Sequence, residues 1–361
     1  MSTPLATSPR PGGGSATGDL PQVYRPLPSY APWAVAGGAV VLAVLLALVL
    51  GSGPVLTAVV AATLYTVGIH VVSRAVEGQR RAADRTVTAI VSIMFATAMV
   101  PLVSLLYTVL VRGVARFDVE FFTLTMRNVV GEGGGARHAI VGTLQITGLA
   151  AAMSIPIGLL TAIYLVEYGR GRLARTITFL VDVMTGIPSI VAGLFAYALF
   201  VLFFGPGVRF GIGGAVALSV LMIPVVVRAS EEMLKLVPAE LREASYALGV
   251  PKWRTILKVV LPVAAAGIGT GITLAVARVI GETAPLLLIA GRSGSLNLDP
   301  FNDSMQTLPV FAFYSFFTPG VNPQFDIDRG WTAALVLMLI VLLLNLVARV
   351  IAKFFAPKGS R

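Results

Sequence analysis

Three charged residues stand inside apolar segments of the sequence, where an uncompensated charge is costly. They are Arg228, in the stretch PVVVRASEE, and Arg278 and Glu282, in the stretch ARVIGET. A charged side chain at the centre of a bilayer costs about 2.5 to 3.5 kcal/mol on insertion scales, so such residues mark substrate pathways. Two planar, multi-donor guanidiniums facing one cavity would suit a tetrahedral oxyanion and compensate its charge in a low dielectric. Glu282 would compete for the donors of Arg278 and keep the anion from binding too tightly.

The same charges have an alternative interpretation, in which they neutralise one another. Arg278 and Glu282 are four residues apart, so on a continuous helix they share a face and can pair. Arg228 has the same spacing to Glu232, and Glu231 is one residue nearer. For Glu231 and Glu232 a structural salt bridge and a functional role both stay open. For the two arginines we favour a function in the pathway.

A break in another apolar segment offers neutral donors for the same anion. Residues 186–189, Gly-Ile-Pro-Ser, interrupt the run Ala174–Phe204. Broken helices at membrane depth usually line a cavity, so the hydroxyls of Thr185 and Ser189, with freed backbone amides, are candidate anion ligands. The alternative is a kink that serves packing alone. For Asp182, before the break, we favour a structural hydrogen bond over pairing with an arginine of the preceding loop or with another subunit.

The elements that must position these residues are membrane helices. Of the 361 residues, 56% are hydrophobic and 12% are charged, against about 25% charged in soluble domains, and the mean hydropathy is +0.87. The absence of cysteine excludes disulfides and thiolate metal sites, and His70 and His138 are too far apart to predict a metal cluster. Neither a G-x-x-x-x-G-K-(S/T) motif nor a catalytic Ser/His or paired-carboxylate arrangement stands out, so we expect a transport subunit, with no enzyme activity and no cofactor.

Eight apolar segments reach the length that spans a bilayer, about 20 residues. They are Trp33–Leu50, Pro54–Val72, Thr86–Val111, Ala139–Val166, Ala174–Phe204, Ile212–Leu236, Ile256–Ala290 and Trp331–Phe354. The stretch before them, to about Tyr30, is rich in Pro, Gly, Ser and Thr, which predicts a disordered tail. It lacks the short apolar core of a signal peptide.

Lysine and arginine orient these spans, because cytoplasmic loops carry an excess of both. Eight spans place both termini on one side, and every lysine of the chain falls on that side. The opposite loops, Gly113–His138, Gly205–Gly211 and Gly291–Gly330, hold few arginines and no lysine. We therefore predict a multi-pass protein of the cell membrane with both termini cytoplasmic. Topology then accounts for most of the net charge of +10, and we expect no nucleic-acid partner.

One cytoplasmic segment cannot lie in lipid and must project into water. It is Glu243–Pro262, EASYALGVPKWRTILKVVLP, a basic amphipathic stretch between very apolar helices. We predict a helix that stops at Gly249, which supplies a left-handed C-cap, and a new turn opened by Pro251. The pattern E-A-(A/S)-x-x-x-G followed by I-L-x-x-V-x-L-P resembles the coupling loop of ABC importer permeases, the surface that docks into an ATPase subunit.

Three further stretches extend the resemblance. They are GTLQITGLAAAMSIPIGLLTAIYLVEYG at 142–169, VDVMTGIPSIVAGLFAY at 181–197 and ARVIGETAPL at 277–286. Together with the loop they look like the PstA-type phosphate permeases of high-affinity phosphate importers. The similarity runs from about Thr86 to the C-terminus.

The resemblance implies an architecture. It is an all-α polytopic membrane protein with a type I ABC importer permease core of six helices at 86–361 and a coupling loop at about 238–262. The two helices of 31–85, after a cytoplasmic tail at 1–30, look like an addition to that core, for which peripheral packing is the simplest role.

The resemblance also implies site residues and partners. Arg228, Arg278 and Glu282 match family positions that are implicated in phosphate translocation. The predicted ATPase-coupling positions are Glu243, Ala244, Gly249, Trp253 and Pro262. The implied partners are a sister permease of the PstC type, two ATPase subunits, an extracytoplasmic phosphate-binding protein, phosphate itself and membrane lipid. The long loop Gly291–Gly330, with its aspartates and aromatic residues, is a candidate plug-like segment or contact for the binding protein.

Two alternatives stay open from the sequence. A permease for another oxyanion, such as sulfate or molybdate, would share the same elements. An ion-coupled secondary transporter or channel would function without an ATPase and would show internal repeats. No convincing repeat is visible, and a secondary transporter or channel would not explain the cytoplasmic segment Glu243–Pro262.

Overall fold

A computed structural model describes residues 26–355 of the chain, with side chains to residue 350. These residues form helices and loops and contain no β-strand. The helices are α1 (Ala31–Leu50), α2 (Pro54–Glu77), α3 (Gln79–Gly113), α4 (Val119–Thr123), α5 (Arg137–Ile163), α6 (Gly171–Thr185), α7 (Ser189–Phe204), α8 (Gly211–Lys235), α9 (Ala239–Ala247), α10 (Lys252–Thr255), α11 (Leu261–Val279), α12 (Ala284–Ile289), α13 (Leu308–Phe317) and α14 (Pro323–Phe355). Most of the predicted tail, residues 1–25, lies outside the described residues.

The membrane-spanning helices follow the apolar segments of the sequence. Seven helices of the described chain are long and apolar enough to cross a membrane, and α6 with α7 makes an eighth span if the bent pair counts as one. These two helices meet at 109°, at the predicted break of residues 186–189. One predicted span was wrong: Ile256–Ala290 is not a single helix, because α11 ends at Val279 and α12 begins at Ala284. Pro285 then lies in the first turn of α12, where its missing N–H costs nothing.

The chain divides into two compact units at Leu105 and Leu106, inside α3; the division at residue 85 stays a prediction. In the first unit, the carboxylate of Glu77, with its side chain 1% exposed, joins three segments. Arg85 of α3 donates to it at 2.5 and 2.9 Å. The hydroxyl of Ser73 and the amide of Leu27 each donate at 2.8 Å. A buried carboxylate with this set of donors is compensated, so it ties the residues before α1 to α2 and α3.

In the second unit α8 is the central helix. Its apolar window is 56% buried, whereas the other candidate spans of the described chain reach 22% at most. Glycines let its neighbours approach: a Cβ on Gly158 of α5 would come within 2.7 Å of Val226, and one on Gly271 of α11 within 2.5 Å of Ala229. Small residues at helix contacts permit this backbone proximity in membranes. The packing fixes α8 between α5 and α11.

The glycine run 131–135 is a loop held by arginine. Arg329 has a side chain only 1% exposed and donates to the carbonyls of Gly133 at 2.6 Å and Gly131 at 2.9 Å. Gly131 and Gly133 have φ angles of 93° and 88°, which glycine adopts without steric cost. The run therefore has a defined conformation in which its backbone carbonyls accept from the guanidinium of Arg329.

Candidate functional site

A cavity of about 230 Å³ lies where the bent pair α6–α7 meets α8 and the end of α11. Among the predicted pathway residues, Thr185, Ser189, Arg278 and Glu282 line it. They come from four different places: the last residue of α6, the first of α7, the last turn of α11 and the break before α12. The cavity thus gathers predicted residues as far apart in sequence as Thr185 and Glu282, 97 positions.

Local chemistry explains why the helices open at this point. Pro188 has no backbone N–H and precedes the first residue of α7, so it cannot continue α6. The first N–H groups of a helix have no acceptor within the helix, and α7 therefore begins beside the cavity with unpaired donors. On the far side, a Cβ at Gly193 would come within 2.5 Å of Pro285, so glycine lets α7 pack directly on α12.

Arg278 and Glu282 share the cavity but do not form the predicted helical pair. The i, i+4 spacing requires a continuous helix, and α11 ends at Val279. Within the described residues, neither side chain has an ion-pair partner within 4.0 Å. The guanidinium of Arg278 is exposed and Glu282 is half-buried, so the donors of Arg278 are available to an anion.

Arg228 is not among the residues that line this cavity. It donates to Asp182 of α6 and, at 2.8 Å, to Glu231. Glu231 also accepts from Lys235 at 2.7 Å. Of the two carboxylates that the sequence offered, Glu231 is buried and pairs with Arg228, whereas Glu232 is exposed.

Asp182 makes the structural hydrogen bond between helices that the sequence favours. It accepts from Arg228, 46 residues away, and not from an arginine of the preceding loop. The bond is a charged link between α6 and α8. The structure therefore brings Arg278, but not Arg228, to the cavity, and the pathway role of Arg228 stays a prediction.

The segment Glu243–Pro262 forms a compact projection. α9 ends at Ala247, and Gly249 follows with a φ of 75°, the left-handed conformation predicted for it. Pro251 caps α10, as the predicted new turn requires. Five residues predicted to contact an ATPase are all exposed: Glu243, Ala244, Gly249, Trp253 and Pro262.

The projection rests on an ion pair that sequence reasoning missed. Arg242 of α9 donates to Glu167 at 3.0 Å, and Glu167 has a side chain 5% exposed. Arg242 also donates to the carbonyls of Val237 at 2.6 Å and Leu234 at 2.9 Å. The backbone carbonyl of Glu167 accepts from Lys252 of α10. Arg242 and Glu167 are 75 residues apart, and only a charged residue at the end of an apolar run hinted at this contact.

The surface of the projection is apolar as well as charged. Its exposed large apolar side chains are Tyr246, Leu248, Trp253 and Leu257, and Leu236 and Leu241 are exposed just before it. Leu248 is 83% exposed and Trp253 is 55% exposed, and a hydrogen bond of 2.8 Å between Ser245 and Thr255 joins α9 to α10. Contiguous exposed apolar residues of this kind mark a protein contact.

Comparison with known proteins gives the same family at the level of sequence. The family model described as binding-protein-dependent transport system inner membrane component matches residues 154–361. The phosphate transport system permease protein PstA 1 of Mycobacterium tuberculosis strain H37Rv is 47% identical over 295 residues, which cover 81% of this chain and 94% of that protein. The PstA proteins of Mycobacterium leprae and Yersinia pestis are 45% and 39% identical over 76% and 71% of this chain, and over 90% and 84% of their own lengths.

Solved structures match at the level of the fold. A chain of the inward-facing MetNI methionine ABC transporter has a TM-score of 0.51 at 22% identity and covers 61% of this chain and 96% of its own. A chain of a bacterial alginate ABC transporter, in complex with its alginate-bound periplasmic protein, has a TM-score of 0.55 at 12% identity and covers 77% and 97%. With these matches, the chain belongs to the binding-protein-dependent transport system inner membrane components, and within them to the PstA-type ABC importer permeases.

Proposed function

We propose that this chain is a permease subunit of an ATP-driven importer of inorganic phosphate and forms half of its translocation pathway. The observation that carries the proposal is the cavity that joins an unpaired arginine, Arg278, to the break between α6 and α7. Relatives up to 47% identical are named phosphate transport system permease proteins, which supports phosphate as the anion. These comparisons favour neither a permease for another oxyanion nor a secondary transporter.

Phosphate would be held in the cavity by charge and by neutral donors. In a low dielectric an anion needs a compensating positive charge, and Arg278 supplies it through several N–H donors. Ser189 and the first amides of α7 add neutral donors on the opposite wall. A volume of about 230 Å³ accommodates a phosphate with a few waters, each of which takes about 30 Å³.

Glu282 makes the binding weak enough for release. Its carboxylate lines the same cavity and repels an anion at short range. It also competes with phosphate for the donors of Arg278 once either side chain moves. A transport pathway needs both properties, because an anion that binds too tightly does not leave.

Arg228 serves the pathway on the cytoplasmic side of this cavity. In the described conformation Asp182 and Glu231 hold its guanidinium. Separation of α6 from α8 during transport breaks the link to Asp182 and frees donors for an anion that is leaving. Residue Thr185 lies at the cavity wall but donates its own hydroxyl hydrogen to the carbonyl of Val181 at 2.9 Å.

ATP hydrolysis acts through the projection. The chain offers no P-loop, so nucleotide is bound by two ATPase subunits, which contact Glu243, Ala244, Gly249 and Trp253. The ion pair of Arg242 with Glu167 connects the projection to α5, and α10 continues into α11, which carries Arg278. A movement of the ATPases therefore reaches the cavity through two helices.

The complete importer contains a second permease of the PstC type and an extracytoplasmic phosphate-binding protein. Both termini of this chain are cytoplasmic, since the excess of lysine and arginine on one side orients the spans. Residues 86–361 form the permease domain, and residues 31–85 contribute two further membrane helices.

Uptake of radiolabelled phosphate by the complete complex in proteoliposomes tests the proposal. We expect uptake that requires ATP and the binding protein, with no inhibition by an equal concentration of sulfate or molybdate. A complex whose ATPase subunits lack a functional P-loop is the control for passive leak. Uptake of sulfate or molybdate in place of phosphate, or uptake that persists without ATPase subunits, would overturn it.

A further inference from the structure

A second cavity, of about 370 Å³, is built from the loops predicted to lie on the outer side. Its walls are the glycine run at Gly131, the residues after α12, helix α13 and the start of α14. Arg292 and Arg329 line it together with Gln306, Tyr314 and Asp326. This cavity is not part of the pathway described above. It is lined by two cationic side chains and a single carboxylate.

The charges of this cavity do not cancel. Asp326 is committed, because it accepts from Arg329 at 2.8 Å and from the amide of Gly320 at 2.7 Å. Arg329 balances Asp326, so Arg292 is left as the net charge. Within the described residues, no carboxylate lies within 4.0 Å of Arg292. The cavity therefore carries one uncompensated positive charge.

The geometry of Arg292 suits a tetrahedral oxyanion. Its guanidinium carbon lies 4.8 Å from the centroid of the Tyr314 ring, within the range of a cation–π contact. Its side-chain N–H donors make no hydrogen bond among the described residues, and a guanidinium edge binds two oxygens at once. Phosphate oxygens match this arrangement.

A buried donor behind Arg292 points to the same chemistry. The Nε of Arg329 is buried and has no hydrogen-bond acceptor among residues 26–350. An unpaired buried donor costs free energy, and an oxyanion in the cavity would supply the missing acceptor. Gln306, which is 4% exposed and lines the cavity, adds a polar amide to the wall.

The outer cavity is connected to the pathway cavity by one short element. Glu282 lines the inner cavity, α12 follows, and Arg292 lines the outer one. The six residues of α12 span about 9 Å at the rise of an α-helix. One short helix therefore separates a residue of the inner lining from a residue of the outer lining along the chain.

We propose that the outer cavity is a capture site for an oxyanion, in which Arg292 and Arg329 bind inorganic phosphate before it moves to the cavity at Arg278. The inference rests on the proposed import of phosphate and adds a second binding site to it. The proposed occupant is the small anion and not a side chain of the binding protein, because the unpaired Nε of Arg329 is buried and a free phosphate reaches a buried donor without bringing a polypeptide backbone into the cavity.

Protection of an introduced cysteine tests the site. The chain has no cysteine, so Val321→Cys, at a position that lines the cavity and is 85% exposed, places a single thiol there. Its modification by neutral methyl methanethiosulfonate is followed on this subunit of the complete importer in nanodiscs, without the binding protein. Phosphate at twice its half-saturating concentration should slow modification about threefold. Chloride at the same ionic strength should not.

Matched variants separate the site from general charge. Adding Arg292→Gln should abolish the protection, whereas Arg127→Gln, at an exposed outer arginine outside the lining, should leave it intact. A thiol at Leu298, exposed but outside the cavity, should never be protected.

Two results would overturn the capture site: no protection by phosphate, or equal protection in the Arg292→Gln variant. The outcome is independent of transport. If wild-type importer takes up phosphate but its thiol is unprotected, only the capture site is wrong; if it takes up no phosphate, the proposed function itself is wrong.

Discussion

Arg278 and Arg228 are both arginines within apolar spans, yet their surroundings are opposite. Arg278 lines the cavity at the break between α6 and α7, with no carboxylate within 4.0 Å among the described residues. Arg228 is held by Asp182 and Glu231, and Glu231 is shared with Lys235. The N–H donors of Arg278 are therefore available to a ligand, whereas Arg228 donates to carboxylates of α6 and α8.

The comparison teaches that a charge in an apolar segment has to be judged by its partners. A compensated arginine stabilises a helix contact, and its removal leaves carboxylates without their cation. An arginine without a carboxylate partner destabilises the protein when no ligand is bound, and a bound anion offsets this by neutralising the charge. The predictions below use this difference, beginning with the largest expected effect.

Replacing Arg278 should abolish most phosphate uptake. A hydrogen bond to a charged group contributes about 1.5 to 3 kcal/mol, so Arg278→Ala should lower uptake at low phosphate by about 10- to 150-fold. Arg278→Lys keeps the positive charge but loses the planar guanidinium, so its phosphate uptake should lie between that of the wild type and that of Arg278→Ala. The measurement is radiolabelled phosphate uptake in proteoliposomes, normalised to assembled complex.

Arg127→Ala is the matched control, because it removes an exposed arginine that does not line the cavity. It should transport like the wild type. If Arg278→Ala also did so, with normal assembly, the contrast between the two span arginines would disappear.

Replacing Arg228 should act first on stability. Arg228→Gln leaves Asp182 and Glu231 without their shared cation. The cost should be only about 1 to 2 kcal/mol, because the Asp182 side chain is 60% exposed and Glu231 keeps Lys235. A thermal shift of the purified complex should therefore show a lower melting temperature, with a smaller loss of uptake than for Arg278→Ala.

The double variant Arg228→Gln with Glu231→Gln sharpens this prediction. It removes the arginine together with its buried carboxylate partner, so it should be more stable than the sum of the two single variants predicts. Simple additivity would mean that the ion pair of Arg228 with Glu231, which lies within α8, contributes nothing to stability.

Several features of the fold and site could be predicted from local sequence. The break at Gly186 and Pro188 and the left-handed turn at Gly249 follow from glycine and proline chemistry, and both are present. The end of α11 was missed because apolar residues continue after Val279, and only Gly281 and Pro285 signalled the interruption.

Tertiary partners could not be predicted in the same way. Asp182 meets Arg228 across 46 residues, and a sequence gives no distance between helices that are far apart along the chain. The i, i+4 spacing rule allows Glu232 to pair with Arg228, but in the structure Arg228 pairs with the buried Glu231 while Glu232 is exposed. The sequence therefore identifies the charged residues in apolar segments, but it does not show which of them have an ion-pair partner in the folded chain.

A substitution at Gly249 separates coupling from anion binding. Gly249 has a φ of 75°, and a Cβ there would meet no atom within 4 Å, so the cost of Gly249→Ala is conformational, about 1 to 2 kcal/mol. Asparagine tolerates the left-handed region better, so Gly249→Asn should be milder. We expect Gly249→Ala to reduce phosphate-stimulated ATP hydrolysis and co-purification of the ATPase, while the half-saturating phosphate concentration stays unchanged. A changed half-saturation with normal ATPase binding would contradict this separation.

The smallest predicted effect distinguishes two hydroxyls on the cavity wall. The hydroxyl of Thr185 donates to the carbonyl of Val181 at 2.9 Å, so turning it toward an anion would forfeit that bond. The hydroxyl of Ser189 makes no hydrogen bond among the described residues and stands at the first position of α7. Because a neutral hydrogen bond contributes about 0.5 to 1.5 kcal/mol, Ser189→Ala should raise the half-saturating phosphate concentration about 2- to 13-fold, whereas Thr185→Val should leave it within the error of the uptake assay. The reverse order would mean that phosphate approaches from the α6 side of the break, and that the anion does not sit between Arg278 and the start of α7.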